Sequence, residues 1–422
     1  MTAPRRVVPL VALLSADTLS TTANAVTAIA VPLYAWQVTG SPLAVGLAGA
    51  VTTVPLILGG AFGGTLVDRI GRRTVGVVSD AASGLTVLAI PVLAALDQLP
   101  FAVFLALVFG GAILDLPGST ARSTQLPELA ADAGLALPRA LGLHAALHRT
   151  SSLVGAALAG LLLALGGPTT PLFASAACFA VSVLIVLLLV PRTRAVHPTD
   201  PADGEETGPA TGAGYWRSLA DGLRFAARHP LIRALIVLIV VTNAIDAAGM
   251  TVLKPLYAAG QNDDGALLGL LVAFFAGGAL TGAALYGAVG HRLPRRATFV
   301  VCFVLAGAPP YAAMALDLPV PVVLTVVLLS GLAAGPLNPL IDTVLFALVP
   351  ERMRGRVFGA TGAAVSAAMP VGALVAGVAT DAVGLTMCLA VAAAVYALVT
   401  IGSAVGGRWR ALDEEPQPAL TR

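Results

Sequence analysis

The residues able to do chemistry are few, and they stand in apolar surroundings. Asp17 lies inside a long apolar run beside Ser15, Thr18, Ser20, Thr21, Thr22 and Asn24. A charge at the centre of a bilayer costs about 2.5–3.5 kcal/mol on insertion scales, so such a residue faces a cavity or a partner. Ten residues of helix past Val7 would carry Asp17 about 15 Å into the run. There Thr18, Thr21 and Asn24 would line a central cavity with it. An intramembrane carboxyl group can trade a proton for a cationic or polar molecule. The competing reading is a structural ion pair with Arg149. Asp246, with Asn243 three residues before it, lies mid-way along a second such run and is the other proton-coupling candidate. Asp115 and Arg149 form a candidate buried ion pair, because a buried arginine needs an anion. That pair reads as structural or gating rather than as a direct contact to substrate. His144 and His148, four apart on one helical face, have a spacing that can hold a metal. Without a third ligand, packing or hydrogen bonding explains them better, with a proton relay as the alternative.

No enzyme emerges from these residues. A phosphate-binding Gly-Lys-Ser/Thr loop is absent, and no Ser–His–Asp arrangement sits in a recognisable soluble domain. Neither a metal nor an organic cofactor is expected, and a proton gradient is the expected energy source. The chain is 57% hydrophobic and 11% charged, where a soluble domain carries about 25% charged residues. So few charges suit a surface facing lipid. A formal net charge of +2 gives no reason to expect nucleic acid. Cys178, Cys302 and Cys388 stand singly in apolar runs and read as small core residues.

The elements that must position these groups are twelve apolar runs, each near the roughly 20 residues of a spanning helix. They cover 8–34, 43–67, 75–96, 101–121, 140–165, 171–190, 231–257, 265–289, 297–316, 320–345, 357–380 and 385–405. The first is too long and too polar for a cleaved leader. Arginines fall on one side of this arrangement: Arg5 and Arg6, Arg69 to Arg73, Arg139, Arg192 to Arg228, Arg292 to Arg296, Arg352 to Arg356, and Arg408 onward. The other side carries Asp97, Asp263, Asp264, Asp317 and Asp381, with Lys254 alone basic near it. Both termini are therefore expected in the cytoplasm. Asp80 and Asp342, nearer the cytoplasmic ends, read as partners for loop arginines.

The chain also repeats itself. Gly64-Thr65-Leu66-Val67-Asp68-Arg69-Ile70-Gly71-Arg72-Arg73 returns, altered, 223 residues later as Gly287-Ala288-Val289-Gly290-His291-Arg292-Leu293-Pro294-Arg295-Arg296. Pro32-Leu33-Tyr34-Ala35 matches Pro255-Leu256-Tyr257-Ala258, and Leu126-Pro127-Glu128 matches Val349-Pro350-Glu351, in the same register. The reading is an all-α membrane protein of twelve transmembrane helices in two six-helix halves, 1–190 and 231–405. Between them lies a cytoplasmic linker, 191–230, and after them a tail, 406–422. In the linker, Arg217, Asp221, Arg224 and Arg228 share one helical face and Trp216, Leu219, Ala220, Leu223 and Ala227 the other. That helix would lie in the membrane interface or pack on the protein itself.

The pattern Gly64, Asp68, Arg69, Gly71, Arg72, Arg73, in its place after the second span, resembles the loop signature of the major facilitator superfamily and matches each fixed position. The resemblance extends over nearly the whole chain through span number, repeat and topology. It implies two bundles that alternate access to a site between them, and a turn that latches the outward-facing state through Asp68, Arg69 and Arg73. The second copy keeps Gly287, Arg292, Arg295 and Arg296, but His291 replaces the acid and Pro294 the second glycine. An acid-based lock cannot form there unchanged. Within the superfamily, Thr39-Gly40-Ser41-Pro42 and the stretch Pro350 to Gly359 look most like drug, macrolide and siderophore exporters. The antiporter stretch of the fifth span is represented only by Ser151 to Gly160, with its proline and two glycines replaced.

The leading expectation is a proton-coupled exporter of small amphipathic or natural-product-like molecules, working as a monomer in membrane lipid. A nutrient importer of the same fold and a non-transporting sensor or scaffold are the alternatives. Few hydrogen-bonding groups in the spans disfavour a sugar carrier, and costly intramembrane carboxylates disfavour a scaffold.

Overall fold

The computed structural model describes residues 7–55, 71–191, 213–261 and 266–405. Its elements are helices, α1 (Val7–Thr39), α2 (Pro42–Pro55), α3 (Arg72–Ala95), α4 (Phe101–Asp132), α5 (Leu137–Gly166), α6 (Thr170–Leu189), α7 (Ala213–Arg228), α8 (Pro230–Ala248), α9 (Lys254–Gly260), α10 (Ala266–Val289), α11 (Arg295–Ala315), α12 (Val320–Ala334), α13 (Leu337–Leu348), α14 (Glu351–Val383) and α15 (Leu385–Val405). In lipid a helix satisfies its own backbone, which is why apolar runs of this length adopt it. Ten described segments are long and apolar enough to cross a membrane. The first expected span is the 33-residue α1, interrupted by its polar residues. The second is described only over Pro42–Pro55.

The chain divides into two units, residues 1–208 with 258–270, and residues 209–257 with 271–422. In the first, α1 packs against α5 and α6 and touches α4, while α3 packs between α4 and α6. Leu10, Leu13 and Leu14 of α1 bury themselves against Leu126, Leu129 and Ala130 of α4 and Ala140 of α5. Polar stitches fix the register. Ser175 Oγ donates to the Ala23 carbonyl at 2.9 Å, and Ser182 Oγ lies 3.1 Å from the Ala16 carbonyl. In the second unit, α8 packs on α14, and α11 lies against α12 and α15. The linker helix α7 lies against α14, with Asp221 Oδ2 3.6 Å from Arg356 Nη1.

Two elements differ from the sequence reading. The fourth span does not stop at 121. Helix α4 continues through Pro117 and Pro127 to Asp132, so Leu126-Pro127-Glu128 is helical. Its repeat partner Val349-Pro350-Glu351 instead joins α13 to α14. The tenth span runs as one segment, Val320–Phe346, but its helix is interrupted: α12 ends at Ala334 and α13 begins at Leu337, with Gly335 and Pro336 between them. Pro336 has no amide hydrogen to continue the ladder.

Candidate functional site

The first unit gathers its buried charge in one place. Helices α3 and α4 approach closely at Gly118, where a Cβ would come 2.8 Å from Ser79 Cβ. Ser83 Oγ donates to the Gly111 carbonyl at 3.1 Å along the same seam. This approach sets Asp80 of α3 against Arg122 of α4, whose Nη1 meets Asp80 Oδ1 at 2.6 Å. The remaining guanidinium donors are also engaged. Nε donates to Asp17 Oδ1 at 2.9 Å and Nη2 to Ser20 Oγ at 2.9 Å. Asp115 Oδ1 stands 3.9 Å from Nη2.

Each carboxylate has a second set of partners. Asp80 Oδ2 accepts from Ser182 Oγ of α6 at 2.6 Å. Asp115 Oδ2 accepts from Asn24 Nδ2 at 2.9 Å. Asp17 Oδ2 lies 3.0 Å from His144 Nε2 of α5. One turn further along α5, His148 Nδ1 is 3.3 Å from Thr21 Oγ1. Arg122 is 4% exposed and Asp80 fully buried. The Asp115 side chain is 16% exposed and that of His144 25%, so the cluster is closed on the α3 side and open towards α5. One guanidinium faces three carboxylates. The cluster therefore carries a formal excess of two negative charges, or one when His144 is an imidazolium.

Asp17 and Asn24 both contact this cluster, Asp17 through Arg122 and His144 and Asn24 through Asp115, while Thr21 meets His148. Thr18 spends its hydroxyl on the Leu14 carbonyl at 2.8 Å. Two assignments change. The cation facing Asp115 is Arg122, not Arg149, whose side chain is exposed. Asp80 serves Arg122 in the buried centre and not a loop arginine. Arg122 itself was hidden by the span boundary, which fell one residue before it.

The second unit has its own charged pair. Asp246 of α8 is exposed and Lys254, at the start of α9, half-buried. They lie within electrostatic range of one another, and Tyr311 and Tyr396 are close to Asp246. Lys254 Nζ stands over the rings of Phe275 and Tyr311, 5.5 and 5.9 Å from their centroids. Asn243 donates its amide to the Ile239 carbonyl at 2.8 Å.

Of the first basic turn, Gly64, Asp68 and Arg69 lie outside the described residues. Gly71 precedes α3, and Arg73 reaches the end of α6, where Nη2 donates to the Leu187 carbonyl at 2.6 Å and Nε to the Val186 carbonyl at 3.3 Å. A cation at a helix C-terminus is well placed against the dipole and the unpaired carbonyls. Arg72 Nη1 pairs with Glu128 Oε2 at 3.1 Å. In the second copy, Gly287 ends within α10, Gly290–Arg292 forms a single 3-10 turn, and Arg295 and Arg296 open α11.

A polytopic helical bundle that keeps charged clusters within its spans is the architecture of a membrane transporter. The chain belongs to the Major Facilitator Superfamily, whose family model matches residues 13–265 and 236–422. It is 32% identical over 380 residues to the multidrug efflux pump Tap of Mycolicibacterium fortuitum, covering 89% of this chain and 90% of that protein. It is 28% identical over 353 residues to the enterobactin exporter EntS of Salmonella typhimurium, covering 81% and 80%. Among solved structures, the nucleoside transporter NupG superposes with a TM-score of 0.72 over 96% of this chain and 99% of that one, at 12% identity. The fold and these relatives are those of transporters, not of enzymes.

Proposed function

We propose that the chain exports small amphipathic molecules across the cytoplasmic membrane by proton antiport, alternating access between its two sides as a monomer. The observation that carries this reading is the excess of carboxylates around Arg122. A buried guanidinium and its counter-ions are stable only when charge is nearly balanced. Here balance requires added positive charge, and Asp17, between Arg122 and His144, is where it enters. A proton on Asp17 or a cationic group nearby meets the same deficit, so each opposes the other's binding. Mutually exclusive occupancy is what couples two opposed fluxes. His144, the more accessible member of the pair, is placed to pass protons to Asp17.

The names of the Tap and enterobactin relatives support outward transport of drug-like or natural-product-like molecules. Arginines concentrated on one side of the spans support cytoplasmic termini. No cofactor is required, since the proton gradient supplies the energy.

Everted membrane vesicles with an imposed pH gradient test the proposal. Substrate addition releases protons from vesicles carrying the parent protein and not from those carrying Asp17→Asn. Undiminished proton release in Asp17→Asn removes Asp17 from the mechanism. Accumulation by intact cells without a gradient would point to import instead.

A further inference from the structure

Between Asp246 and Lys254 the chain makes one π turn, Gly249–Leu253, in which the Lys254 amide bonds to the Gly249 carbonyl five residues back. In an uninterrupted α-helix, positions eight apart stand about 80° from one another around the axis. Widening one turn by a residue cuts that to about 20°, with about 10 Å of rise between the two. The π turn therefore sets a carboxylate and an ammonium group on one face. Gly249 makes room for Tyr311 beside this turn. A Cβ there would collide with the Tyr311 hydroxyl, which instead donates to the Ile245 carbonyl at 3.2 Å.

The surroundings of Lys254 Nζ are those of a cation site. Two ring faces, Phe275 and Tyr311, lie within about 6 Å, the range over which a ring quadrupole attracts a cation. The Asp246 carboxyl group lies within electrostatic range, with no direct ion pair to Lys254 among the described residues. The ammonium is on a flexible four-carbon stem and can leave, whereas Tyr311 is 2% exposed and pinned. Asp246 is exposed and can meet a guest.

We propose that Asp246, Phe275 and Tyr311 form a binding site for an organic cation, and that Lys254 fills it as a tethered occupant which a cationic substrate displaces. This deepens the export reading by naming the charge class of the substrate, and takes from it only that a small molecule enters the bundle. The tether sets selectivity. A guest must out-compete Lys254, so a weakly held cation is refused while one with broad aromatic contact is accepted.

The test uses ethidium as the probe and the purified full-length protein in detergent. Fluorescence anisotropy should show ethidium bound about tenfold more tightly by Lys254→Met than by the parent, and about tenfold more weakly by Asp246→Asn. Unchanged or weaker binding by a Lys254→Met protein that melts like the parent overturns the proposal. Lys254 is also the only lysine in the chain. Reductive methylation with carbon-13 formaldehyde therefore gives one side-chain signal, shielded by the two rings. Saturating ethidium should move that signal out of the ring-current field, and a signal that stays put overturns the displacement even if Lys254→Met fails to fold. The export reading fails on proton release in vesicles, this inference on the lysine signal, so the two failures are told apart.

Discussion

The charged clusters of the two units differ in how they hold their cations. Arg122 is locked: its guanidinium meets Asp80, Asp17 and Ser20 at 2.6–2.9 Å, and anions outnumber it. Lys254 is loose: it faces a single carboxylate at longer range and rests on ring faces. A planar, always-charged fork suits the first place, and a compact ammonium on a long stem the second. The difference teaches that charge within a helical bundle can be held in two ways. On the export proposal, the surplus anions around a clamped cation are the place for a proton, and the unclamped pair is the place for a competitor.

The largest expected effect tests the clamp. Arg122→Ala strands three carboxylates, and breaking a buried pair costs about 3–5 kcal/mol. Transport should vanish and the melting temperature in detergent should fall sharply, while Lys254→Met melts near the parent. Equal losses in the two variants would erase the distinction. Next comes the division of labour. Asp17→Asn should abolish substrate-driven proton release, and Asp246→Asn should keep it while weakening substrate. Loss of proton release in both would make Asp246 a second proton site. A smaller effect belongs to the end of α6. Arg73→Ala removes two bonds to helix-end carbonyls, about 1–2 kcal/mol, read as a modest drop in melting temperature. The smallest is Arg72→Ala, since its pair with Glu128 is 36% and 41% exposed. At most about 1 kcal/mol should follow, and a loss larger than that of Arg73→Ala would reverse this ranking.

The bundle was legible because lipid makes hydropathy a direct readout of spanning helices. Asp17 and Asn24 were legible for a related reason, since a charged residue inside a span is too costly to be idle. Arg122 was not. The polar stretch from Gly118 to Gln125 looks like the end of a span. It can still lie within a helix because Ser119, Thr120, Ser123, Thr124 and Gln125 each satisfy their own polar group on a carbonyl three or four residues back. Its charge is met by helices distant in sequence, which no local pattern encodes. Lys254 falls inside the seventh expected span and reads there only as the one basic residue near the far side, because a π turn has no sequence signature. Arg149 is a candidate from helix placement, on a span expected to face the same cavity as Asp115, but its side chain is exposed and Arg122 stands 3.9 Å from Asp115.

The break at Gly335 and Pro336 bears on how the protein is made. At 1.5 Å per residue, the 15 residues of α12 reach about 22 Å and the 12 of α13 about 18 Å, each short of the roughly 30 Å hydrocarbon layer. Neither piece can be threaded into the bilayer as a self-sufficient segment. The pair must leave the insertion machinery as a single stop, with α11 packing on both pieces.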